Sequence, residues 1–269
     1  MSRIEACFTA LKNNNKKALI PFITAGDPSI DLTVELMNVL VDAGADIIEL
    51  GVPFSDPMAD GPVIQRASER ALANGTNTDD VFNIVKTFRS ENESTPIILM
   101  GYLNPIEVMG YETFIDKAVD VGVDGLIIVD LPPEESVEFG KVLKPNGIDQ
   151  IFLVSPTTNG ERLDRICEAA SGFLYYVSLK GVTGSNQLDV KAVGDKLDEI
   201  RSKTNLPLGV GFGIKNSQIA KDVGNISDAV VVGSALVERI AEHAGNSEKM
   251  KSEIFSFISS LRTALDSNG

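Results

Sequence analysis

The chain has 269 residues, of which 43% are hydrophobic and 23% charged, as in an ordinary globular protein. This length can hold one large α/β domain or two smaller ones. The formal net charge of −14 excludes nucleic acid and anionic membrane as main partners, because both require a basic footprint. With no membrane-span-length apolar run and no signal-peptide pattern in the sequence, we expect a cytoplasmic protein.

Cysteine and histidine usage limits the chemistry that the chain can perform. Cys7 and Cys167 are far apart and lack CxxC spacing, so neither a disulfide framework nor a zinc site is predicted. His243 is the only histidine in the sequence, and no metal site is expected. Lys180 and Lys215 fall in predicted loops, which argues against a Schiff-base lysine. Acid and base catalysis must therefore fall to carboxylates.

Eight short apolar segments, each followed by a helical pattern, run through the chain. They are ALIPFIT, DIIELG, PIILMGY, DGLIIVD, DQIFLVS, FLYYVSL, PLGVGFG and DAVVVGS. The predicted helices include residues 62–73, 78–89 and 108–121. An amphipathic helix around Ile4, Phe8 and Leu11 precedes the first strand and is expected to cover the bottom of a barrel.

The alternation of apolar strands with helices indicates a parallel sheet covered on both faces. Eight such units, with no linker between them, predict that residues 1–269 form a single (β/α)8 TIM barrel domain. We expect an extra N-terminal helix and a short extra helix at a phosphate site. A doubly wound open sheet is the alternative, although it usually has fewer strands and no GxGxxG follows the first one. In a barrel, the active site lies at the carboxyl ends of the strands.

The segment ELGVPFSDPMADGP, residues 49–62, follows the second strand and concentrates carboxylates, prolines and glycines. Strand alternation puts Ile47 and Glu49 on one face and Ile48 and Leu50 on the other, so Glu49 continues an apolar row. If that row faces the barrel interior, desolvation raises the Glu49 pKa, as a general acid requires. Asp60 could be its partner in a pair whose pKa values are pushed apart.

Each of these carboxylates also has a purely structural interpretation. Glu49 could be a charge on an edge strand, and Asp60 could cap a helix that begins near Pro62. Asp56, between Ser55 and Pro57, could be a turn residue only.

The last three predicted strands end in glycine-rich segments, LKGVTGSN, GVGFGIKN and VVVGSAL. Glycine lets the backbone approach a ligand, and a helix N-terminus offers N–H groups to an anion. The loops after the seventh and eighth strands are the recurrent phosphate site of the barrel, although tight turns alone could explain these glycines. Apolar and aromatic side chains at the strand ends suggest a flat, apolar ligand portion, with core packing as the alternative: Phe22, Met100, Tyr102, Ile127, Val129, Leu153, Tyr175 and Phe212.

Seven motifs carry a resemblance to a known family. They are PFITAGDP (21–28), ELGVPFSDPMADGP (49–62), GYLNP (101–105), DLPPEE (130–135), YYVSLKGVTG (175–184), GVGFGI (209–214) and VVGSALV (231–237). Together they resemble the α subunit of tryptophan synthase over nearly the whole chain, and the motif at 49–62 is highly specific to that family.

The resemblance implies a barrel lyase that reversibly cleaves indole-3-glycerol phosphate to indole and glyceraldehyde 3-phosphate, with no cofactor of its own. By resemblance, Glu49 protonates the indole C3 and Asp60 binds the indole N–H. The substrate would be bordered by Phe22, Tyr102, Tyr175, Thr183 and Phe212. The phosphate would be held by Gly184, Gly213, Gly233 and Ser234. The segment at residues 179–189 would close over the site and exclude water.

The partner implied by the resemblance is the pyridoxal-phosphate-dependent β subunit, in an α2β2 assembly. The implied contact surface comprises Asp56, Pro57, Asn104 and Pro105. Two rival functions are a different phosphosugar isomerase or aldolase on the same barrel, and a catalytically idle protein that binds and activates the β subunit.

Overall fold

The computed structural model describes residues 1–177, 189–211 and 213–267. The strands in these ranges are β1 (Ala18–Thr24), β2 (Ile48–Gly51), β3 (Ile97–Gly101), β4 (Gly125–Ile128), β5 (Asp149–Gln150), β6 (Phe152–Val154), β7 (Leu174–Val177), β8 (Leu208–Gly211) and β9 (Ala229–Val232). The helices are α1 (Arg3–Asn13), α2 (Ile30–Asp42), α3 (Pro62–Ala73), α4 (Thr78–Arg89), α5 (Leu103–Met109), α6 (Tyr111–Val121), α7 (Ser136–Leu143), α8 (Gly160–Ala169), α9 (Val190–Arg201), α10 (Ser217–Gly224), α11 (Ser234–Glu242) and α12 (Ser247–Asp266). None of the described helices is long and apolar enough to cross a membrane.

The nine strands form one parallel sheet in the order β5-β4-β3-β2-β1-β9-β8-β7-β6. The two ends of this sheet, β5 and β6, are separated in the chain only by Ile151, whose N–H donates to the Leu126 carbonyl at 3.0 Å. The sheet therefore closes on itself, and the predicted (β/α)8 barrel is confirmed. The predicted fifth strand is divided because its first half pairs with β4 and its second half with β7.

Alternate strand residues form two separate apolar layers. One cluster contains interior-facing residues that lie in most of the strands or directly before them, including Ile20, Ile47 and Ile98, and is closed by Ile4 and Phe8 of α1. Their alternating neighbours belong to the layer between the sheet and the outer helices. Helix α1 thus seals the amino end of the barrel, as predicted, and the carboxyl end is left for a site.

Two of the predicted helices, 62–73 and 78–89, have the observed bounds of α3 and α4. The prediction of one helix over 108–121 is wrong. Two helices, α5 and α6, meet at Gly110, whose φ of +87° interrupts the helical conformation. Helix α5 begins earlier because Pro105 lies in its first turn, where a missing N–H breaks no helical hydrogen bond.

A buried ion pair anchors α3 to the loop that follows β1. Asp27 is 1% exposed and accepts hydrogen bonds from Arg70 Nε at 2.8 Å and Arg70 Nη2 at 2.7 Å. The Asn74 side chain, one turn later, donates to the Pro28 carbonyl at 2.6 Å. Since α3 begins two residues after Asp60, this anchor fixes one end of the loop that carries Asp60.

We expect Arg70→Met to lower the free energy of unfolding by about 2–3 kcal/mol, because it leaves the Asp27 carboxylate buried without its charged partner. Urea denaturation provides the measurement. Lys191→Met is the control, because it breaks a solvent-exposed pair with Asp195 and should change the free energy of unfolding much less. Equal costs for the two variants would contradict the anchoring role.

Candidate active site

Glu49 lies in the barrel wall, on a strand paired on both sides. Strand β2 sits between β1 and β3, with Glu49 in register with Phe22 and Ile98. The edge-strand interpretation of Glu49 is therefore wrong. Its side chain follows Ile47 on the interior face, as the alternation predicted, and only 1% of the residue is exposed.

The environment of Glu49 favours its neutral form. Its Oε1 is buried and has no hydrogen-bond partner among the residues that the structure describes. Burial, together with the negative charge of Asp60, raises the Glu49 pKa to about 8. Glu49 therefore carries a proton over most of the neutral range, as a general acid must.

Asp60 occupies a wetter position in the loop between β2 and α3. The helix is capped by Gly61 with Pro62 as its first residue, so the interpretation of Asp60 as the N-cap is wrong. Partial burial raises the Asp60 pKa, whereas a hydrogen bond with the Tyr102 hydroxyl lowers it. The Tyr102 hydroxyl lowers the pKa of Asp60, and the negative charge of Asp60 raises the pKa of Glu49, so there is a pH range in which Asp60 is ionised and Glu49 is protonated.

Two aromatic side chains from the predicted set depend on glycines in neighbouring strands. A Cβ on Gly51 would lie 2.6 Å from Phe22 Cζ, and one on Gly211 would lie 2.3 Å from the Tyr175 hydroxyl oxygen. At both strand ends an aromatic ring occupies the space that a side chain would need, so glycine is required there. The GVGFGI segment predicts turns or phosphate binding, and nothing in its sequence indicates this packing role of Gly211.

Tyr175 is close enough to Glu49 for their charges to interact. Burial raises the Tyr175 pKa well above its ordinary value, and the charge of Glu49 adds to the effect. The phenol is consequently neutral in the pH range in which Glu49 acts. Ile127, by contrast, is 1% exposed and belongs to the interior cluster, which agrees with core packing for that residue.

A narrow crevice joins several of the predicted residues at the carboxyl ends of β1 to β4. Phe22, Asp60 and Tyr102 contribute to its walls together with Thr24 and Ser68. Thr24 and Ser68 were missed by the sequence analysis, because a hydroxyl residue in a strand or a helix has no sequence signal that marks it as part of a site. Glu49 lies outside this lining.

The predicted phosphate residues that can be described lie beyond β8 and β9. Gly233 precedes α11 and Ser234 is its first, exposed residue. Gly213 has a φ of +80° and open space where a side chain would stand. A Cβ on Gly233 would lie 3.7 Å from Phe22 Cβ, so this corner adjoins the aromatic wall. Thr183, Gly184, Phe212 and most of the predicted closing segment lie outside the described residues.

The predicted partner residues form a surface next to Asp60. Asp56 and Asn104 are exposed, and Pro57 and Pro105 are half-buried. The rings of Phe54 and Tyr102 stack with centroids 5.1 Å apart, which joins the loop between the two carboxylates to the start of α5. Two apolar residues of these elements, Met58 and Val108, are each 83% exposed.

Among the described residues, no group of three or more His, Cys, Asp or Glu side chains could hold a metal ion.

The sequence of the chain is similar to those of known proteins over its whole length. The family profile described as tryptophan synthase alpha chain matches residues 8–266. The tryptophan synthase alpha chain of Thioalkalivibrio sulfidiphilus is 58% identical over 266 residues, covering 99% of this chain and 100% of that protein. The alpha chain of Methylococcus capsulatus is 53% identical with the same coverage.

Solved structures agree with the sequence comparison. Tryptophan synthase subunit alpha from Legionella pneumophila superposes with a TM-score of 0.93 at 48% identity, covering 99% of each chain. A chain of Mycobacterium tuberculosis tryptophan synthase superposes with a TM-score of 0.88 at 33% identity, covering 98% of each chain. Fold, full-length identity and family profile lead to one assignment: the chain belongs to the tryptophan synthase alpha chain family.

Proposed function

We propose that Glu49 and Asp60 catalyse the cleavage of indole-3-glycerol phosphate in this chain. As a tryptophan synthase alpha chain, the protein is the indole-3-glycerol-phosphate lyase of tryptophan biosynthesis, a carbon–carbon lyase that passes indole to the β subunit. The observation that supports the two residue roles best is the buried carboxyl group of Glu49, whose Oε1 has no hydrogen-bond partner among the described residues and whose pKa is raised to about 8 by burial and by the charge of Asp60.

The reaction begins with transfer of the Glu49 proton to C3 of the indole ring. Protonation places positive charge on the ring nitrogen, whose N–H donates to the Asp60 carboxylate, and the charge of Asp60 offsets it. The carbon–carbon bond then breaks, its electrons restore the indole, and the side-chain hydroxyl becomes an aldehyde. The hydroxyl proton passes to the Glu49 carboxylate, which returns the acid to its starting state.

We assign the indole and glycerol groups of the substrate to the aromatic side of the site and its phosphate to the glycine-rich side. Phe22, Tyr102 and Tyr175 would border the indole and glycerol groups, and Gly213, Gly233 and Ser234 would bind the phosphate. The N-terminus of α11 supports the phosphate assignment, because the first N–H groups of a helix have no intrahelical acceptor and the dipole favours an anion. Thr183, Phe212 and Gly184 complete these sets on the resemblance alone.

The alpha chain acts with a β-subunit partner, and we propose an α2β2 assembly in the cytoplasm. The exposed Met58 and Val108 beside Asp56, Pro57, Asn104 and Pro105 support a protein contact at this surface. This chain needs no cofactor in the proposed mechanism, because the protonated ring is itself the electron sink. Pyridoxal phosphate is assigned to the β partner only.

Removing either carboxylate should abolish most of the cleavage. We expect Glu49→Gln and Asp60→Asn each to lower kcat by at least about 100-fold, the usual contribution of a positioned acid or charge. Indole release from indole-3-glycerol phosphate is the measurement, with circular dichroism as the folding control. Turnover near that of the unmodified chain in either variant would refute that residue's role.

The pH dependence should follow from the direction of the two pKa shifts. Glu49 acts protonated, so kcat/KM should fall as the pH rises through about 8. Asp60 acts ionised, so activity should also fall on the acidic side, at a higher pH than for an ordinary aspartate because burial raises the Asp60 pKa. A pH profile that stays flat from 7 to 10 would contradict the assignment of Glu49 as the acid.

Partner binding should depend on the surface beside Asp60, whereas cleavage by the isolated chain should not. We expect Val108→Glu to weaken binding to the β subunit at least about 10-fold, because it places a charge in a desolvated contact and lies outside the loop that carries Asp60. Titration calorimetry with the β subunit measures the affinity. Indole release, with and without the β subunit, measures the cleavage. Activity in the isolated chain that Asp60→Asn abolishes would also exclude the function of an idle activator.

A further inference from the structure

The short turn from Pro57 to Asp60 is held by more than its own backbone. The Asp60 N–H donates to the Pro57 carbonyl at 3.1 Å, which closes the turn. Ala59 is exposed and Met58 is 83% exposed, so apolar burial contributes little to its conformation. A turn with so little buried surface has to be fixed by hydrogen bonds from neighbouring elements.

The first fixing element is a side chain of α3. Gln65 is half-buried in the first turns of this helix, and its Nε2 donates to the Asp60 carbonyl at 2.9 Å and to the Pro57 carbonyl at 3.3 Å. One amide group therefore binds both ends of the turn. The helix that carries Gln65 is anchored in turn by the pair of Arg70 with the buried Asp27.

The second fixing element comes from the opposite side, at the start of α5. Tyr102 is 4% exposed and is the N-cap residue of this helix, so its ring has little freedom. Its hydroxyl accepts a hydrogen bond from the Ala59 N–H at 3.0 Å and is close enough to the Asp60 carboxylate to lower the pKa of that group. The ring also stacks on Phe54, earlier in the same loop.

We propose that Gln65 and Tyr102 are positioning residues that hold the Asp60 carboxylate at the indole nitrogen, an inference that rests on the proposed function of Asp60. Gln65 holds the backbone carbonyls of Pro57 and Asp60, and Tyr102 holds the N–H of Ala59, the residue before Asp60. Neither residue transfers a proton in the reaction. Gln65 acts only through Asp60, and Tyr102 adds this role to its position in the wall of the site.

The hydroxyl of Tyr102 also keeps Asp60 in its active charge state. Burial raises the Asp60 pKa, and the hydrogen bond from Tyr102 opposes that rise. Burial raises the Tyr102 pKa to about 12, so the phenol remains a donor throughout the working range. Loss of the hydroxyl should shift the acidic limit of activity upward, an effect that packing alone would not produce.

The experiment compares variants in indole release from indole-3-glycerol phosphate by the full chain. Gln65→Met keeps the size of the side chain and removes both hydrogen bonds. We expect kcat to fall about 10- to 100-fold with KM within about twofold, because misplacement of a catalytic group lowers kcat while the phosphate contacts persist. Tyr102→Phe should lower kcat and also move the acidic limb of the pH profile to higher pH.

Matched controls separate positioning from a general loss of hydrogen bonds. Gln218→Met removes a side-chain amide bond to Asp222 on α10, and Tyr111→Phe removes a phenol bond to Glu107. Both should leave kcat and the pH profile unchanged. If Gln65→Met lowers the thermal unfolding midpoint by more than about 5 °C, Gln65→Glu replaces it, because glutamate keeps the shape but cannot donate.

Asp60→Asn in the same assay distinguishes the two possible failures. If that variant retains full turnover, the proposed function of Asp60 is wrong. If it is inactive while Gln65→Met and Tyr102→Phe keep normal kcat, the positioning role alone is overturned. A loss that appears only as a higher KM would also overturn it, since this is the signature of a direct substrate contact.

Discussion

The central constraint in this structure is a carboxyl group buried in the wall of a barrel without a hydrogen-bond partner among the described residues. A buried carboxylate without a donor is costly, so the group takes up a proton instead. With its pKa raised to about 8, Glu49 is a neutral acid at a pH where an exposed glutamate would be ionised. The proposed chemistry depends on this raised pKa of Glu49.

The same displacement affects the stability of the fold. The folded pKa of Glu49 lies above its ordinary value of 4.5, so the folded state binds the extra proton between these two values. Binding of this proton stabilises the folded state, and the stabilisation is lost as the pH rises from about 4.5 to about 8. The dry environment responsible is made by the surrounding architecture: interior isoleucines such as Ile47 and Ile98, and helix α1, which closes the amino end.

Asp60 needs the opposite environment, and the loop that carries it supplies one. It remains partly open to water, and the nearby Tyr102 hydroxyl lowers its pKa, so it ionises more readily than Glu49. Its loop borders the surface proposed for the β subunit, and Tyr102 connects that loop to α5. Tyr102 therefore contacts both the loop that carries Asp60 and helix α5, which lies on the proposed partner surface.

Periodicity and turn residues in the sequence determined the strand and helix order, the interior row of Ile47 and Glu49, and the helix closing the barrel, because these follow from local repeats of two and 3.6 residues. The motifs determined the family. Only the tertiary structure decided that Gly211 leaves room for Tyr175 and that the predicted fifth strand divides into β5, which pairs with β4, and β6, which pairs with β7. It also decided that Gln65 and Tyr102 both contact the turn before Asp60. Those features join residues distant in the chain or set by side-chain rotamers, and no local pattern records such contacts.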